Sequence, residues 1–302
     1  VTIKDETLYN TVLTYSAFGN PDEKLLVRVQ DASDNVTTYD YNTIGGLTKT
    51  EQGAVIRNFT YNDSLIKDFL TIESHPDRGT ISYTPDPQGN VITRGDSLGT
   101  RTYFYDDLNR LYQIDYPTDS GTRSVIFTYD NADNRKTMSN PSGFFEYDYD
   151  PVNLLREKKE TLSGKTYTTT YVFDPNNNLS DIYYPSGRHV VYGYNSNNQV
   201  NSVTGFGGSI TNIQYCTPVD GTCVGLLRSY LGPNGVTTNF AYTDRNLTEG
   251  ISALPGVLNI GYEYDDRGNL KNITNNLDTS KNQTFTYDRL NRLETFNGGY
   301  GS

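Results

Sequence analysis

Hydrophobic and polar residues alternate one by one over short stretches of this chain, and turn-forming residues separate the stretches. Residues 283–287 (QTFTY), 260–264 (IGYEY) and 125–129 (VIFTY) are examples. Period-two alternation of aromatic and β-branched residues predicts half-buried β-strands. A charged stretch at 156–160 (REKKE) has helical composition, but it is short and lies between two strand patterns. We therefore expect a charged strand end or a turn there, and no sustained helix elsewhere.

One turn pattern follows these strands, Tyr-Asp-x-x-Gly/Asn-x-Leu. It is clearest at 105–111 (YDDLNRL), 264–270 (YDDRGNL) and 287–293 (YDRLNRL). An Asp side chain can accept hydrogen bonds from backbone amides two or three residues later, and Gly or Asn tolerates the positive φ of a tight turn. The pattern therefore predicts a hairpin in which the Tyr and the Leu face each other across two strands.

The pattern recurs about every 22 residues, which is the mark of a repeat protein. The aromatic residues that open the units are Tyr41, Tyr83, Tyr105, Tyr129, Tyr149, Phe173, Tyr194, Tyr242, Tyr264 and Tyr287. The hydrophobic residues and turn glycines that we single out as structural are Leu47, Leu111, Leu270, Leu293, Gly89 and Gly268. The unit at Tyr83 is interpreted as having two extra turn residues. Tyr61 opens a degenerate copy, and a blurred copy is expected around Tyr15 and 19–20.

A second group of turns, ending near glycines 121, 143, 164, 187 and 235, separates the units. Each unit would then consist of two strands and two turns. We predict an all-β fold, a single array of about 12 repeats over 1–302 that forms an antiparallel hairpin meander. Open sheets wider than about ten strands curl, so the meander should form a spiral ribbon, a shell or a barrel-like wall.

Composition narrows the class of protein. The 302 residues include 26 Tyr and 12 Phe, which argues against disorder. A net charge of −11 repels phosphate backbones, so a nucleic-acid partner is not expected. No apolar run approaches the roughly 18 residues of a membrane span, so membrane insertion is not expected either. The chain begins in a strand-like pattern without a signal peptide, and we expect it to be part of a longer protein.

Cys216 and Cys223 flank a turn-rich loop (TPVDGT) that replaces the expected turn after Tyr215. Two thiols at the mouth of one short loop can reach disulfide distance, which would indicate an oxidising compartment. Unlinked thiols in a cytosolic chain are the alternative. A metal site is not expected, because there are two thiols and His189 is distant in sequence.

The repeated motif resembles the YD repeat of bacterial rearrangement-hotspot (RHS) proteins, insecticidal toxin-complex shells and animal teneurins. The resemblance covers about residues 36–300. It implies a long β-ribbon that spirals into a hollow shell, which encloses a C-terminal toxin in bacterial members and is part of an extracellular adhesion module in teneurins. Bacterial shells that release cargo end in an Asp-Pro-x-Gly motif. Residues 86–89 (DPQG) match it but lie in an early repeat, so an ordinary turn is expected.

Few residues suggest catalysis. His75 and His189 stand beside turns and are expected to be surface turn histidines, although a pairing of Ser186 with His189 can be imagined. Neighbouring carboxylates at 106–107 and 265–266 recur in the turns, where capping the backbone explains them better than hydrolysis of a glycoside. Calcium bound by the Asp and Asn turns stays open.

The sequence therefore predicts a non-enzymatic structural scaffold without cofactors, in a secreted or surface bacterial protein. Its expected partners are itself or further YD repeats, and an enclosed toxin, a cell-surface protein or a glycan. One alternative is an extracellular fibre or adhesin that self-associates through strand edges. A weaker one is a carbohydrate-binding module.

Overall fold

The computed structural model describes residues 2–4, 10–16, 24–118, 121–205, 207–221, 223–254 and 256–298. These residues form 27 β-strands and two 3-10 helices, Pro218–Asp220 and Thr279–Lys281. They fall into two compact units. One takes residues up to 147 together with 159–166, and the other takes 148–158 together with residues from 167 onward. The blurred turn expected at 19–20 lies outside the described residues.

The strands of the first unit are β1 (Thr2–Lys4), β2 (Asn10–Tyr15), β3 (Leu26–Gln30), β4 (Val36–Tyr41), β5 (Leu47–Gln52), β6 (Val55–Thr60), β7 (Ile72–His75), β8 (Gly79–Pro85), β9 (Val91–Asp96), β10 (Gly99–Tyr105), β11 (Leu111–Thr118), β12 (Gly121–Tyr129) and β13 (Arg135–Asn140). Three further strands contain residues of both units: β14 (Gly143–Tyr149), β15 (Leu155–Leu162) and β16 (Lys165–Phe173). The charged stretch 156–160 lies within β15, so it belongs to a strand.

The remaining strands belong to the second unit. They are β17 (Leu179–Tyr183), β18 (His189–Tyr194), β19 (Val200–Gly205), β20 (Gly208–Tyr215), β21 (Leu227–Leu231), β22 (Thr237–Tyr242), β23 (Thr248–Leu254), β24 (Leu258–Tyr264), β25 (Leu270–Asn275), β26 (Gln283–Tyr287) and β27 (Leu293–Gly298).

Within each unit the strands form an antiparallel meander, in which each strand pairs with its neighbours in sequence. The pairings run from β1 to β14 in the first unit. They run from β16 to β27 in the second. The predicted all-β hairpin fold is therefore confirmed.

In most of the described hairpins the register shifts by one residue beside the residue that opens the repeat. Thr286 pairs with Thr295, whereas the next residue, Tyr287, pairs with Leu293. The same shift occurs beside Tyr105 and Tyr264. Such a β-bulge bends the strand and increases its twist. The repeat therefore introduces a bend at the same point of these hairpins.

Burial is spread thinly over the strands. In β26, Phe285 and Tyr287 are half-buried, and Thr284 and Thr286 on the opposite face are exposed. Among the described residues, the buried hydrophobic ones are Ile81, Ile182, Val190, Cys216 and Ala253, and none of them is completely enclosed. Contacts between adjacent strands therefore carry most of the packing, as expected for a repeat array. Within the described parts of the chain, no helix has the length and apolar character needed to cross a bilayer.

Candidate functional site

The hairpin at 287–293 illustrates the geometry of the repeated motif. Tyr287 and Leu293 are opposite each other in the ladder. The N–H of Asp288 donates to the carbonyl of Arg292 at 2.9 Å, and the N–H of Asn291 donates back to the carbonyl of Asp288 at 3.0 Å. Asn291 has a φ of 60°. A tight turn that ends in a left-handed residue requires Gly, Asn or Asp at that place, which explains this position of the motif.

The Asp carboxylate organises the turn. Oδ1 of Asp288 accepts hydrogen bonds from the backbone N–H groups of Leu290 at 2.8 Å and Arg292 at 3.0 Å. In other turns too, the side chain of the residue that begins the turn accepts hydrogen bonds from the backbone N–H groups two and four residues later. The residues that do so are Asp31, Asn42, Asp86, Asp106, Asp130, Asp150, Asp174, Asn195, Thr243, Asp265 and Asp288. Each accepted bond favours the ionised carboxyl group. Side-chain hydrogen bonds from Asn134 and Asn178 lower the pKa of Asp130 and Asp174 respectively.

In most of the described repeats, the hydroxyl of the opening tyrosine connects the repeat to the one before it. Tyr287 donates to the carbonyl oxygen of Leu270 at 3.0 Å, and Leu270 is the residue paired with Tyr264 in the preceding hairpin. At distances of 2.6–3.1 Å the same contact joins Tyr41 to Leu26, Tyr105 to Val91, Tyr129 to Leu111, Tyr194 to Leu179, Tyr215 to Val200, Tyr242 to Leu227 and Tyr264 to Thr248.

These phenols are held as hydrogen-bond donors. Burial raises the pKa of Tyr41, Tyr105, Tyr194, Tyr242 and Tyr264 above the usual value of a tyrosine. These five hydroxyl groups therefore keep their protons, and stay able to donate to the backbone, to a higher pH than an exposed tyrosine. Phe173 has no hydroxyl, so its repeat lacks the donor for this contact.

Side chains also join successive turns. In the first unit, Nδ2 of Asn90 donates to Oδ1 of Asn109 at 2.6 Å. In the second unit, Nδ2 of Asn178 donates to Oδ1 of Asn198 at 3.1 Å. The last pair there is Asn269 and Asn291, at 3.0 Å. In each case the residue after the left-handed position of one turn binds the left-handed residue of the next turn.

The interpretation of Tyr83 as the opening residue of its repeat is wrong. Pro85, not Tyr83, is paired with Val91, and Tyr83 is paired with Arg94. The hydroxyl of Tyr83 donates to Oε1 of Glu73 at 2.6 Å rather than to the backbone. Pro85 directly precedes the turn Asp, so the hairpin has the usual length and contains no extra residues. Tyr83 occupies the aromatic position two residues earlier, as Phe285 does before Tyr287.

The packing expected of Leu293 is not realised in the described chain. The structure places Leu47, Leu111 and Leu270 opposite the opening tyrosine of their hairpins, and all three are half-buried. Leu293 is likewise opposite Tyr287 but is 56% exposed. Its strand, β27, pairs with β26, and no other described strand lies against it. A hydrophobic residue at this position is therefore covered when a further strand follows.

Cys216 and Cys223 form a disulfide, with Cα atoms 5.7 Å apart. Cys216 occupies the place of the turn Asp and is 6% exposed. Tyr215 and Leu227 still pair across the hairpin. Their separation in sequence is twice that of Tyr287 and Leu293. The N–H of Cys216 donates to the carbonyl of Leu226 at 2.8 Å, as the turn Asp does elsewhere. The loop is therefore an insertion into a repeat that keeps its Tyr–Leu pairing, although the ladder of β20 and β21 also shifts between Thr211 and Gln214.

Both histidines lie on strands and beside carboxylates. His75 ends β7, its Nε2 is 3.0 Å from Oε2 of Glu73, and its side chain is 14% exposed, so the expected exposed turn position is wrong for it. His189 begins β18, where Nε2 is 2.8 Å from Oδ1 of Asp181 and the ring stacks on Tyr183 at 4.1 Å. His189 therefore pairs with Asp181, and the imagined Ser186–His189 pairing is not the contact observed.

The remaining polar motifs belong to turns. Asp106 and Asp265 cap their own backbone as described above. The 86–89 motif forms an ordinary turn, in which Asp86 accepts from Gln88 and Asn90, and Gly89 has a φ of 91°. Over the described ranges, His, Cys, Asp and Glu side chains nowhere gather in a group of three or more that could hold a metal ion.

Comparison with known proteins agrees with this geometry. The family model described as teneurin YD-shell matches residues 73–222. No curated protein matches the sequence. The crystal structure of TcdB2-TccC3-Cdc42 is similar with a TM-score of 0.81 and 17% identity, over 96% of this chain and 17% of that chain. A Tc holotoxin pore from Photorhabdus luminescens is similar with a TM-score of 0.79 and 17% identity, over 96% and 16%.

At this identity the likeness to the solved structures concerns the fold, and this chain spans about a sixth of their length. The sequence match adds the repeat itself. The YD hairpins, their left-handed turn residues and the match to the YD-shell model together place this chain in the YD/RHS-repeat family.

Proposed function

We propose that this chain is a non-enzymatic wall segment of a secreted or surface bacterial protein that encloses or presents cargo, in the manner of a toxin-delivery shell. The observation that carries the proposal is the set of hydrogen bonds that the opening tyrosines make. Their hydroxyls bind backbone carbonyls of the preceding repeat, as Tyr242 binds Leu227 at 2.7 Å. The most characteristic side chain of the motif thus serves to join repeats.

The half-buried ribbon supports the same role. Few side chains of the described residues are buried, and Leu293 is exposed in β27, against which β26 is the described strand that pairs. Further YD repeats of the same protein are therefore the first partners we propose. The solved structures with this fold are chains about six times longer, which is consistent with one segment of a larger wall. An enclosed toxin and a cell-surface protein or glycan are further candidate partners.

The disulfide supports an extracellular location. Disulfides persist in oxidising compartments and are uncommon in the bacterial cytosol. Cys216 and Cys223 are paired, and the net charge of −11 suits a soluble acidic surface.

Light scattering after size-exclusion chromatography tests the proposal against the fibre alternative. A wall segment predicts the mass of one chain, 33.9 kDa, over a wide range of protein concentration. A fibre built through strand edges predicts a mass that grows with concentration. The second result would overturn the wall proposal in favour of the fibre.

A further inference from the structure

The disulfide loop forms one side of a cleft in the second unit. The cleft has a volume of about 370 Å³ and lies between the loop, the turn at 195–199 and the start of β19. Its lining includes Asn197, Asn201, Gln214, Tyr215, Pro218 and Val224. Small-molecule sites begin at about 300 Å³, so the volume suits a small ligand. Since the loop is an insertion, the cleft exists at the point where the repeat is interrupted.

The lining of this cleft carries no charged residue, although the chain has a net charge of −11. A charged ligand would lose its hydration there without gaining a partner charge. A purely apolar ligand would bury amide groups without hydrogen bonds. The chemistry therefore favours a neutral ligand that offers both hydroxyl groups and apolar faces.

Three amide side chains are available to such a ligand. Asn195 is committed to its own turn, where Oδ1 accepts from Asn197 and Gln199 and Nδ2 donates to Gln199. The side-chain amides of Asn197, Asn201 and Gln214, by contrast, make no hydrogen bond to any described residue. An amide both donates and accepts, so it can bind a hydroxyl group in either direction.

The other walls are apolar and fixed in place. The hydroxyl of Tyr215 donates to the carbonyl of Val200 at 2.9 Å, which leaves the ring as a wall. An aromatic ring can pack against the C–H face of a sugar. The loop is braced by the disulfide, by hydrogen bonds from Thr217 to Asp220 at 2.7 and 2.8 Å, and by an ion pair between Asp220 and Arg228 at 3.1 Å. A braced wall loses little entropy on binding.

We propose that this cleft binds a neutral saccharide of one or two rings. This binding site goes beyond the wall function and does not depend on it. It places a ligand-recognising feature at the single repeat whose turn carries the disulfide.

The test begins with the purified chain on an array of neutral and sialylated glycans. Neutral hits are then titrated in solution up to about 10 mM, because small exposed sites bind in the millimolar range. The proposal expects neutral glycans to bind and sialylated forms to bind no better. An array without neutral hits, or one with sialylated hits alone, would overturn the proposal.

Point variants locate the site. Asn197→Ala and Gln214→Ala should each weaken binding about tenfold, the effect of losing one or two hydrogen bonds. Ser196→Ala is the matched control, because Ser196 is an exposed polar residue of the same turn and does not line the cleft. Equal affinity in all three variants would place any binding elsewhere and overturn the proposal.

The paired variant Cys216→Ser/Cys223→Ser tests the wall of the cleft. Loss of the brace should weaken binding while circular dichroism retains the strand signal. If this variant unfolds, the comparison of Asn197→Ala with Ser196→Ala is the test of the saccharide site. A chain that stays monomeric in light scattering but binds no neutral glycan contradicts the saccharide site and leaves the wall proposal standing.

Discussion

The hydroxyl of Tyr287 donates to the carbonyl oxygen of Leu270 at 3.0 Å, and Leu270 is the residue that faces Tyr264 one repeat earlier. Tyr264 in turn donates to Thr248, which faces Tyr242. Tyr264 and Tyr287 therefore pack within their own hairpins and bind the backbone of the hairpin before, as most of the opening tyrosines do. Hydrogen bonds from tyrosine, the most frequent aromatic residue of the repeat, therefore help to hold neighbouring repeats together.

Tyr242→Phe should lower the free energy of unfolding by about 1 kcal/mol, the usual net value of one hydrogen bond. The change removes the 2.7 Å bond to the carbonyl of Leu227 and keeps the ring. Urea denaturation measures the effect. Tyr183→Phe is the control, because Tyr183 is 45% exposed and its ring stacks on His189. Equal losses in the two variants would show that the backbone contact has no special role.

Phe173→Tyr makes the opposite test. Phe173 faces Leu179 as the opening tyrosines face their partners, but it brings no hydroxyl. By the geometry of the other repeats, a hydroxyl here would reach the carbonyl of Leu155, the first residue of β15. We expect an increase in unfolding free energy of about 0.5–1 kcal/mol. A loss of stability would mean that this repeat is not built like its neighbours.

Asp174→Ala should lower the urea midpoint, because the backbone amides of Asn176 and Asn178 lose their acceptor at 2.8 and 2.9 Å. Asp174→Asn should restore most of the loss, since Asn195 performs the same capping in its own turn. Asp244→Ala is the control, because Asp244 is an exposed turn residue whose carboxylate caps no amide of the described chain. If the Ala and Asn variants at 174 were equally unstable, charge rather than capping would be the cause.

Gly89→Ala should cost about 1 kcal/mol, because Gly89 has a φ of 91° and a side chain with a Cβ is strained in the left-handed region. Space does not limit the substitution, since a Cβ would lie 3.9 Å from Cδ1 of Ile66. Gly89→Asn should cost less, because Asn109 and Asn177 occupy the equivalent position. Thermal unfolding of the two variants checks the order, and an Asn variant less stable than the Ala variant would contradict it.

Acid should destabilise the first unit through Asp96. Hydrogen bonds from Arg101 at 2.8 Å and from the N–H of Leu98 at 2.9 Å, together with Arg94, lower the pKa of Asp96 to about 2 from its ordinary 3.8. A folded pKa below the unfolded one gives stability that is present above about pH 4 and is lost as the pH falls toward 2.

Asp96→Asn isolates this effect. The variant should be less stable than the wild type at pH 7, and the difference between their urea midpoints should shrink between about pH 4 and pH 2. A difference that stays constant over this interval would mean that the ionised carboxyl group of Asp96 is not what the fold uses.

The sequence predicted the strands, the turns and the repeat because each depends on local chemistry. Alternation and the Asp-to-Gly/Asn spacing are visible without knowledge of contacts. The register error at Tyr83 arose because an aromatic residue at either of two positions fits a half-buried face. The aromatic-x-aromatic-Asp spacing, with Pro85 directly before Asp86, was the signal that could have placed it.

The contacts between repeats could not be predicted from spacing. The hydroxyl of Tyr287 donates to a backbone carbonyl 17 residues earlier. Every residue has a backbone carbonyl, so the sequence does not show which one accepts. The cleft beside the disulfide loop also depends on where the turn at 195–199 lies in space. The interruption of the repeat at Cys216 and Cys223 did indicate the position of the cleft, and the structure shows which residues line it.

The most direct measurement of the joining contact is the carbonyl ¹³C chemical shift of Leu227. The chain has two Leu-Arg peptide bonds, at Leu227 and at Leu155, so ¹³C-carbonyl leucine combined with ¹⁵N arginine selects two signals. Leu227 accepts the hydroxyl of Tyr242, and the repeat after Leu155 opens with Phe173. We predict that Tyr242→Phe moves the Leu227 signal and leaves the Leu155 signal in place. A Leu227 signal that does not change would contradict it.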